Sequence, residues 1–183
     1  MSQTLMDTSA IDAAINQMVC SIVEQTQDPH AIALVGIRRG GDILAKRLQR
    51  LIAEKTGVTP PLGVVDITLY RDDGFGPHDW PQVGATNIAF SVKNYTIFLV
   101  DDVLFTGRTV RAALDVILDY GRPQAVRLVV LVDRGLHELP IVADIFGRSL
   151  TTNHHEHVDV QLVENGSPCD RVLLCAKQER KAE

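Results

Sequence analysis

Two adjacent carboxylates, Asp101 and Asp102, follow an apolar run and stand just ahead of the loop Thr106-Gly107-Arg108-Thr109. Ionised carboxylates only accept hydrogen bonds, so the pair suits the hydroxyl donors of a ribose or a hydrated Mg²⁺. The loop adds two hydroxyls, a flexible glycine and a cation where a helix from about Thr109 to Tyr120 should begin. Helix starts present unpaired backbone N–H groups to anions. Sugar and phosphate would therefore lie within a few residues of each other, and the ligand expected of this segment is a ribose phosphate. A plain strand-to-helix turn capped by Thr106 requires neither the acidic pair nor the second threonine. An aspartate-based phosphotransfer site also places acids at a strand end and uses Mg²⁺, but it leaves the loop unexplained.

The elements that would position these groups alternate along the chain. Ser9-Ala10-Ile11-Asp12 reads as a capping box, and Ile11, Ile15, Met18, Val19 and Ile22 then share one helical face. Ala31 to Gly36 reads as a buried strand, followed by an Arg/Gly turn and a helix carrying Ile43, Leu44, Leu48, Leu51 and Ile52. Val64 to Tyr70, Tyr95 to Val100 and Ala125 to Val132 are further strands. Val142 to Phe146, Val158 to Val163 and Arg171 to Ala176 are shorter ones. Helices between successive strands predict an α/β fold with a largely parallel sheet and ligands at the carboxyl ends of its strands. Arg71 to Gly84 is rich in glycine and proline, and its length suggests a lid.

Composition sets the class. With 183 residues and 45% hydrophobic content, the chain has enough material for one domain with a full core over 1–183, fraying at 1–8 and 177–183. Cys20, Cys169 and Cys175 are widely separated and suggest neither a disulfide framework nor a zinc site. No apolar stretch reaches the ~18 residues needed to span a bilayer, and Met1-Ser2-Gln3-Thr4 does not resemble a signal peptide, so the expectation is a cytoplasmic protein away from membranes. A net charge of −5 gives no general attraction to nucleic acid.

Val100 to Thr109 is similar to the phosphoribosyl pyrophosphate signature of type I phosphoribosyltransferases. The likeness in Ile97, Phe98, Leu99, Val100, Asp101, Asp102, Val103, Leu104, Phe105, Thr106, Gly107, Arg108 and Thr109 marks that whole run as the donor-binding segment. Further blocks extend the resemblance to the PyrR group, bifunctional pyrimidine operon regulators and uracil phosphoribosyltransferases. They are Val35 to Arg38, Leu44 to Leu48, Asp66 to Asp73, Leu118 to Pro123, Val130 to Gly135 and Glu138 to Ile141.

The resemblance implies the type I phosphoribosyltransferase fold, a central mainly parallel sheet flanked by helices with a flexible lid loop and a small hood. It implies a reaction in which uracil N1 displaces pyrophosphate from phosphoribosyl pyrophosphate to give UMP. Mg²⁺ would be carried on the substrate pyrophosphate rather than by a protein cage. Asp101 and Asp102 would hold the ribose hydroxyls, and Thr106 to Thr109 the 5′-phosphate. Arg38, Arg39, Gly40 and Gly41 would form the pyrophosphate loop, Arg71 would be the catalytic candidate of the lid, and Asp133 and Arg134 would neighbour the uracil. A structural ion pair is the competing reading for the last two. The group further implies a leader RNA of a pyrimidine operon as partner and a homodimer or higher homo-oligomer.

Departures from the pattern carry information of their own. The pyrophosphate loop has Arg39 then Gly40 before Gly41, where the family usually has threonine then arginine. Phe105 replaces the acid that hypoxanthine and guanine enzymes resembling this signature carry before Thr-Gly, which favours a neutral pyrimidine over those purines. The first thirty-seven residues contain no lysine or arginine, and Arg148 is the clearest cation retained where members of the group present basic residues to RNA. His154-His155-Glu156-His157 invites a metal reading through His155 and His157 on one strand face, but no further ligand is spaced nearby, and an exposed connection is expected. An enzyme, an RNA-binding attenuator with weak or vestigial catalysis, and a purine enzyme remain the competing readings.

Overall fold

The computed structural model describes residues 2–68 and 85–176. Its centre is a five-stranded sheet of order β3-β2-β4-β5-β6, in which β2 (Ile32–Ile37), β3 (Leu62–Val65), β4 (Thr96–Leu104), β5 (Ala125–Asp133) and β6 (Ile145–Ser149) all run parallel. Strand β2 is buried throughout, as its unbroken apolar sequence requires of a strand covered on both faces. Helices α1 (Thr8–Gln25) and α2 (Gly41–Thr56) cover one face, packing Ile11, Met18, Leu44 and Leu48 on Phe98 and Val100. Helix α3 (Arg108–Asp119) covers the other, where Val110 and Ile117 meet Ile97 and Leu99.

Chain order explains where a ligand can enter. From β2 the chain passes outward to β3 and then returns to the other side of β2 as β4. The connections after β2 and β4 therefore diverge, and a crevice opens at their carboxyl ends.

A second, antiparallel sheet of order β1-β8-β7 forms the hood from β1 (Ser2–Met6), β7 (Glu156–Gln161) and β8 (Arg171–Ala176). Arg47 of α2 anchors it. Its guanidinium bonds Glu164 Oε1 at 2.8 Å and Asp170 Oδ1 at 3.1 Å, while Asp170 Oδ1 also accepts Val163 N–H at 2.9 Å. Thr8 Oγ1 donates to the Asp170 carbonyl at 3.0 Å, tying the start of α1 to the same point.

Several expectations are corrected. Ser2–Met6, expected to fray, is a strand, because β8 offers a pairing edge in register from Ser2↔Cys175. Helix α1 is capped by Asp7, whose carboxylate accepts Ala10 N–H at 2.9 Å, and not by a box starting at Ser9. The acidic pair lies inside β4 and not beyond its end, since pairing with β5 continues to Leu104↔Asp133. The strand expected from Val64 is Leu62–Val65, and those expected from Val142 and Val158 are Ile145–Ser149 and Glu156–Gln161. Tyr70, the Arg71 to Gly84 lid and residues 177–183 lie outside the described residues. Among those described, no helix is long and apolar enough to cross a membrane.

Candidate active site

Strand alternation gives the two acids different surroundings. Asp101 is buried, 5% exposed, and its Oδ1 accepts the N–H of Asp102 at 3.0 Å. Burial, then the neighbouring charge of Asp102, holds its carboxyl well above the ordinary aspartate range. Asp102 is half-buried on the opposite face and borders a cavity of about 250 Å³ between the sheet and the hood. Burial also raises its pKa, and Asp159 on β7 adds a like charge, while hydrogen bonds from Asp101 and the Val103 backbone act against the rise. Of the pair, Asp102 borders this cavity.

The turn between β2 and α2 packs onto that acid. Gly40, at φ +100°, begins α2, and a Cβ there would lie 2.5 Å from Asp102 Oδ2. A Cβ on Gly41 would lie 2.2 Å from the Val100 carbonyl oxygen. Both positions require glycine for close approach to β4. Arg38 and Arg39, joined by a cis peptide bond, stand exposed at the mouth of the turn.

The loop after β4 turns at Gly107, whose φ of +88° begins α3 without a side-chain cap. Thr106 presents its carbonyl to the N–H groups of Glu138 and Leu139 at 3.0 and 3.2 Å, and Arg108 Nε donates to Glu138 Oε2 at 2.9 Å. The Glu138 to Ile141 segment therefore braces the loop from outside. Thr109 lies in the first turn of α3.

The two residues at the end of β5 diverge. Asp133 Oδ1 is engaged by Gly135 N–H at 3.0 Å and His137 Nε2 at 2.9 Å. Arg134 is 3% exposed and makes no ion pair with it: Nε donates to Thr152 Oγ1, and Nη2 to the carbonyls of Asn153 and Glu156, each at 3.0 Å. The Arg134 guanidinium carbon sits 4.1 Å from the centroid of the Phe105 ring, a cation–π contact. Arg134 and Phe105 border the cavity with Asp102; Asp133 is not among its lining residues.

Strand β7 contributes His157 and Asp159 to the cavity, two residues whose place sequence reasoning missed. The alternation His157-Val158-Asp159-Val160 was the available signal, with Val158 buried and its neighbours facing the other way. The shared strand face expected of His155 and His157 does not form, because β7 starts at Glu156. Among the described residues, no group of three or more metal-ligating side chains gathers. Arg71 lies outside the described residues.

A parallel sheet with its crevice at the β2 and β4 ends, an acid beside a glycine turn and a separate hood defines a phosphoribosyltransferase architecture. A phosphoribosyl transferase domain model matches residues 2–165. The HGPRT-ase from Leishmania tarentolae, solved in complex with GMP, superposes with a TM-score of 0.72 over 97% of this chain and 96% of that one, at 17% identity, a likeness of fold. The Bifunctional protein PyrR of Syntrophobacter fumaroxidans is 48% identical over 182 residues, covering 99% of this chain and 97% of the relative. That of Geobacter sulfurreducens is 46% identical over 171 residues, covering 92% and 96%. That of Listeria monocytogenes is 44% identical over 173 residues, covering 93% and 94%. The chain belongs to the phosphoribosyltransferase family and, within it, to the PyrR group.

Proposed function

We propose that this protein is a uracil phosphoribosyltransferase, a single phosphoribosyltransferase domain that converts uracil and phosphoribosyl pyrophosphate to UMP and pyrophosphate. The observation that carries the reading is the contact of Gly40 with Asp102, which joins the turn after β2 to the acid of β4 in one crevice. In this reading Asp102 receives the ribose hydroxyls, with Asp101 behind it as its buried partner. Thr106, Gly107 and Thr109, with the first N–H groups of α3 and the Arg108 charge, hold the 5′-phosphate. Arg38 and Arg39 neutralise the departing diphosphate, Gly40 and Gly41 let backbone approach it, and Arg71 acts from the lid. The base enters the cavity beside Phe105 and Arg134.

The donor set suits a hard divalent cation, since Asp101 and Asp102 offer only oxygen and Asp102 adjoins the turn assigned to the diphosphate. Mg²⁺ arriving on the diphosphate would supply charge neutralisation of the leaving group. What the chain does is position donor and base in line and hold dipoles toward the charge that develops.

The relatives' name, bifunctional, favours a second activity, and we assign to it recognition of a pyrimidine operon leader RNA in response to UMP. We assign the protein to the cytoplasm as a homodimer or higher homo-oligomer. The decisive experiment incubates the protein with phosphoribosyl pyrophosphate, Mg²⁺ and single bases. UMP formation from uracil is expected; turnover of hypoxanthine or adenine without turnover of uracil overturns the reading.

A further inference from the structure

Arg134 spends its donors unevenly. Its three bonds, to Thr152 Oγ1 and to the carbonyls of Asn153 and Glu156, use Nε and Nη2 and pin the loop that leads into β7. Nη1, with two further N–H donors, has no acceptor among the described residues. Stacking on Phe105 at 4.1 Å fixes the plane of the guanidinium, and the residue borders the cavity of about 250 Å³ that Asp102 also borders. The loop-pinning role accounts for Nε and Nη2. It leaves Nη1 unexplained.

The chemistry of the walls limits what can fill that cavity. A guanidinium stays charged and cannot accept a hydrogen bond, so an atom placed against Nη1 must be an acceptor. Across from Asp102, β7 supplies the carboxylate of Asp159, held by Gln161 Nε2 at 2.7 Å, which accepts and cannot donate when ionised. His157 stands exposed at the rim and can serve either way. The buried cation therefore asks for an oxygen, while the hood carboxylate tolerates a ring N–H. A base presenting an amino group to Arg134 would leave donors unmet in a desolvated site, the situation in which discrimination between similar ligands is largest.

We propose that Arg134 is a specificity-determining residue whose Nη1 donates to a ring oxygen of an oxo-pyrimidine, so that the site selects its base by a carbonyl and disfavours an amino group in its place. The inference rests on the pyrimidine phosphoribosyltransferase reading and adds to it the atom that chooses the base.

The test measures kcat/KM for uracil, 2-thiouracil and 4-thiouracil with wild-type protein and with Arg134→Gln. Each thio base keeps the ring N–H groups and replaces one oxygen by sulfur, a weak acceptor. In the wild type, one of the two should lose about ten- to a hundredfold relative to uracil, the range of a hydrogen bond to a charged group. In Arg134→Gln that same ratio should shrink by at least about fivefold, while the ratio for the other thio base stays put. A residue that only pins the hood would lower all three substrates together and leave both ratios unchanged. Arg134→Lys, which keeps the charge but loses the fork, carries the same comparison if thermal melting shows that the glutamine variant does not fold. Equal ratios in wild type and variant overturn the proposal, as does a wild type indifferent to both sulfur substitutions. If the wild type turns over no pyrimidine, the functional reading fails and this inference falls with it; if uracil is turned over with unmoved ratios, this inference alone fails.

Discussion

Gly40 and Asp102 compete for one volume: a methyl group on the glycine would press within 2.5 Å of the carboxylate oxygen, at a backbone φ of +100°. The turn after β2 and the acid of β4 are thus set against each other before any ligand arrives. Gly40→Ala should destabilise the protein by about 1–3 kcal/mol through backbone strain and displace Asp102. Urea melts together with the KM for phosphoribosyl pyrophosphate check this, and wild-type values for both would contradict it.

The acidic pair should trade stability for function. Burial raises the pKa of Asp101, so between the ordinary aspartate value and the raised one the native protein binds more protons than the unfolded chain. Its contribution to stability is therefore favourable below that window and lost as pH rises through it. Asp101→Asn removes the penalty while its side-chain oxygen can still accept the Asp102 N–H, so melting at pH 8 should gain more than melting at pH 4. An equal change at both pH values would count against a buried charge. Asp102→Asn, altered at the cavity wall, should raise the KM for the donor about tenfold, the scale of one charge-assisted bond.

How much of this was legible in sequence depends on whether neighbours in the chain decide the outcome. Ile11, Ile15, Met18, Val19 and Ile22 are all buried, and Ala33 to Val35 lie in a buried strand, because periodicity and apolar runs report burial directly. Thr106 to Thr109 was readable for the same reason, as a local turn feeding a helix. Ser2–Met6 was not, since it carries too little pattern of its own and becomes a strand only by pairing with Arg171–Ala176. Asp133 and Arg134 are adjacent in sequence, yet one turns to the nearby His137 while the other reaches Thr152 and Asn153, partners that only the tertiary fold supplies.

Arg47 is expected to hold the hood at neutral pH and to lose its grip in acid. It lowers the pKa values of Glu164 and Asp170 through hydrogen bonds, so the stabilisation is present at neutral pH and is lost as pH falls through their depressed values. Arg47→Met should cost about 3 kcal/mol at pH 7, with Asp170 left almost buried and unpaired, and less at pH 3. Denaturant melts across that range check the sign; a loss independent of pH would contradict the electrostatic account.

RNA binding should be weak at neutral pH. Helix α1 carries no lysine or arginine, so the salt-sensitive phosphate contacts expected of a basic first helix are missing. Titration of a pyrimidine operon leader RNA at physiological salt checks this; nanomolar, UMP-enhanced binding at neutral pH would refute it.

The pairing of Ser2–Met6 with Arg171–Ala176 has a consequence for how the molecule is born. A ribosome delivers β1 before β2 to β7 and its partner β8 after them, so the earlier strand must wait, edge exposed, while the elements between the two emerge. Strand β7, which roofs the cavity, depends on the same late partner. The central sheet can assemble during synthesis, but the roof over the cavity closes only on a chain translated through β8, and a product truncated before β8 would carry the loop after β4 without a finished cavity beside it.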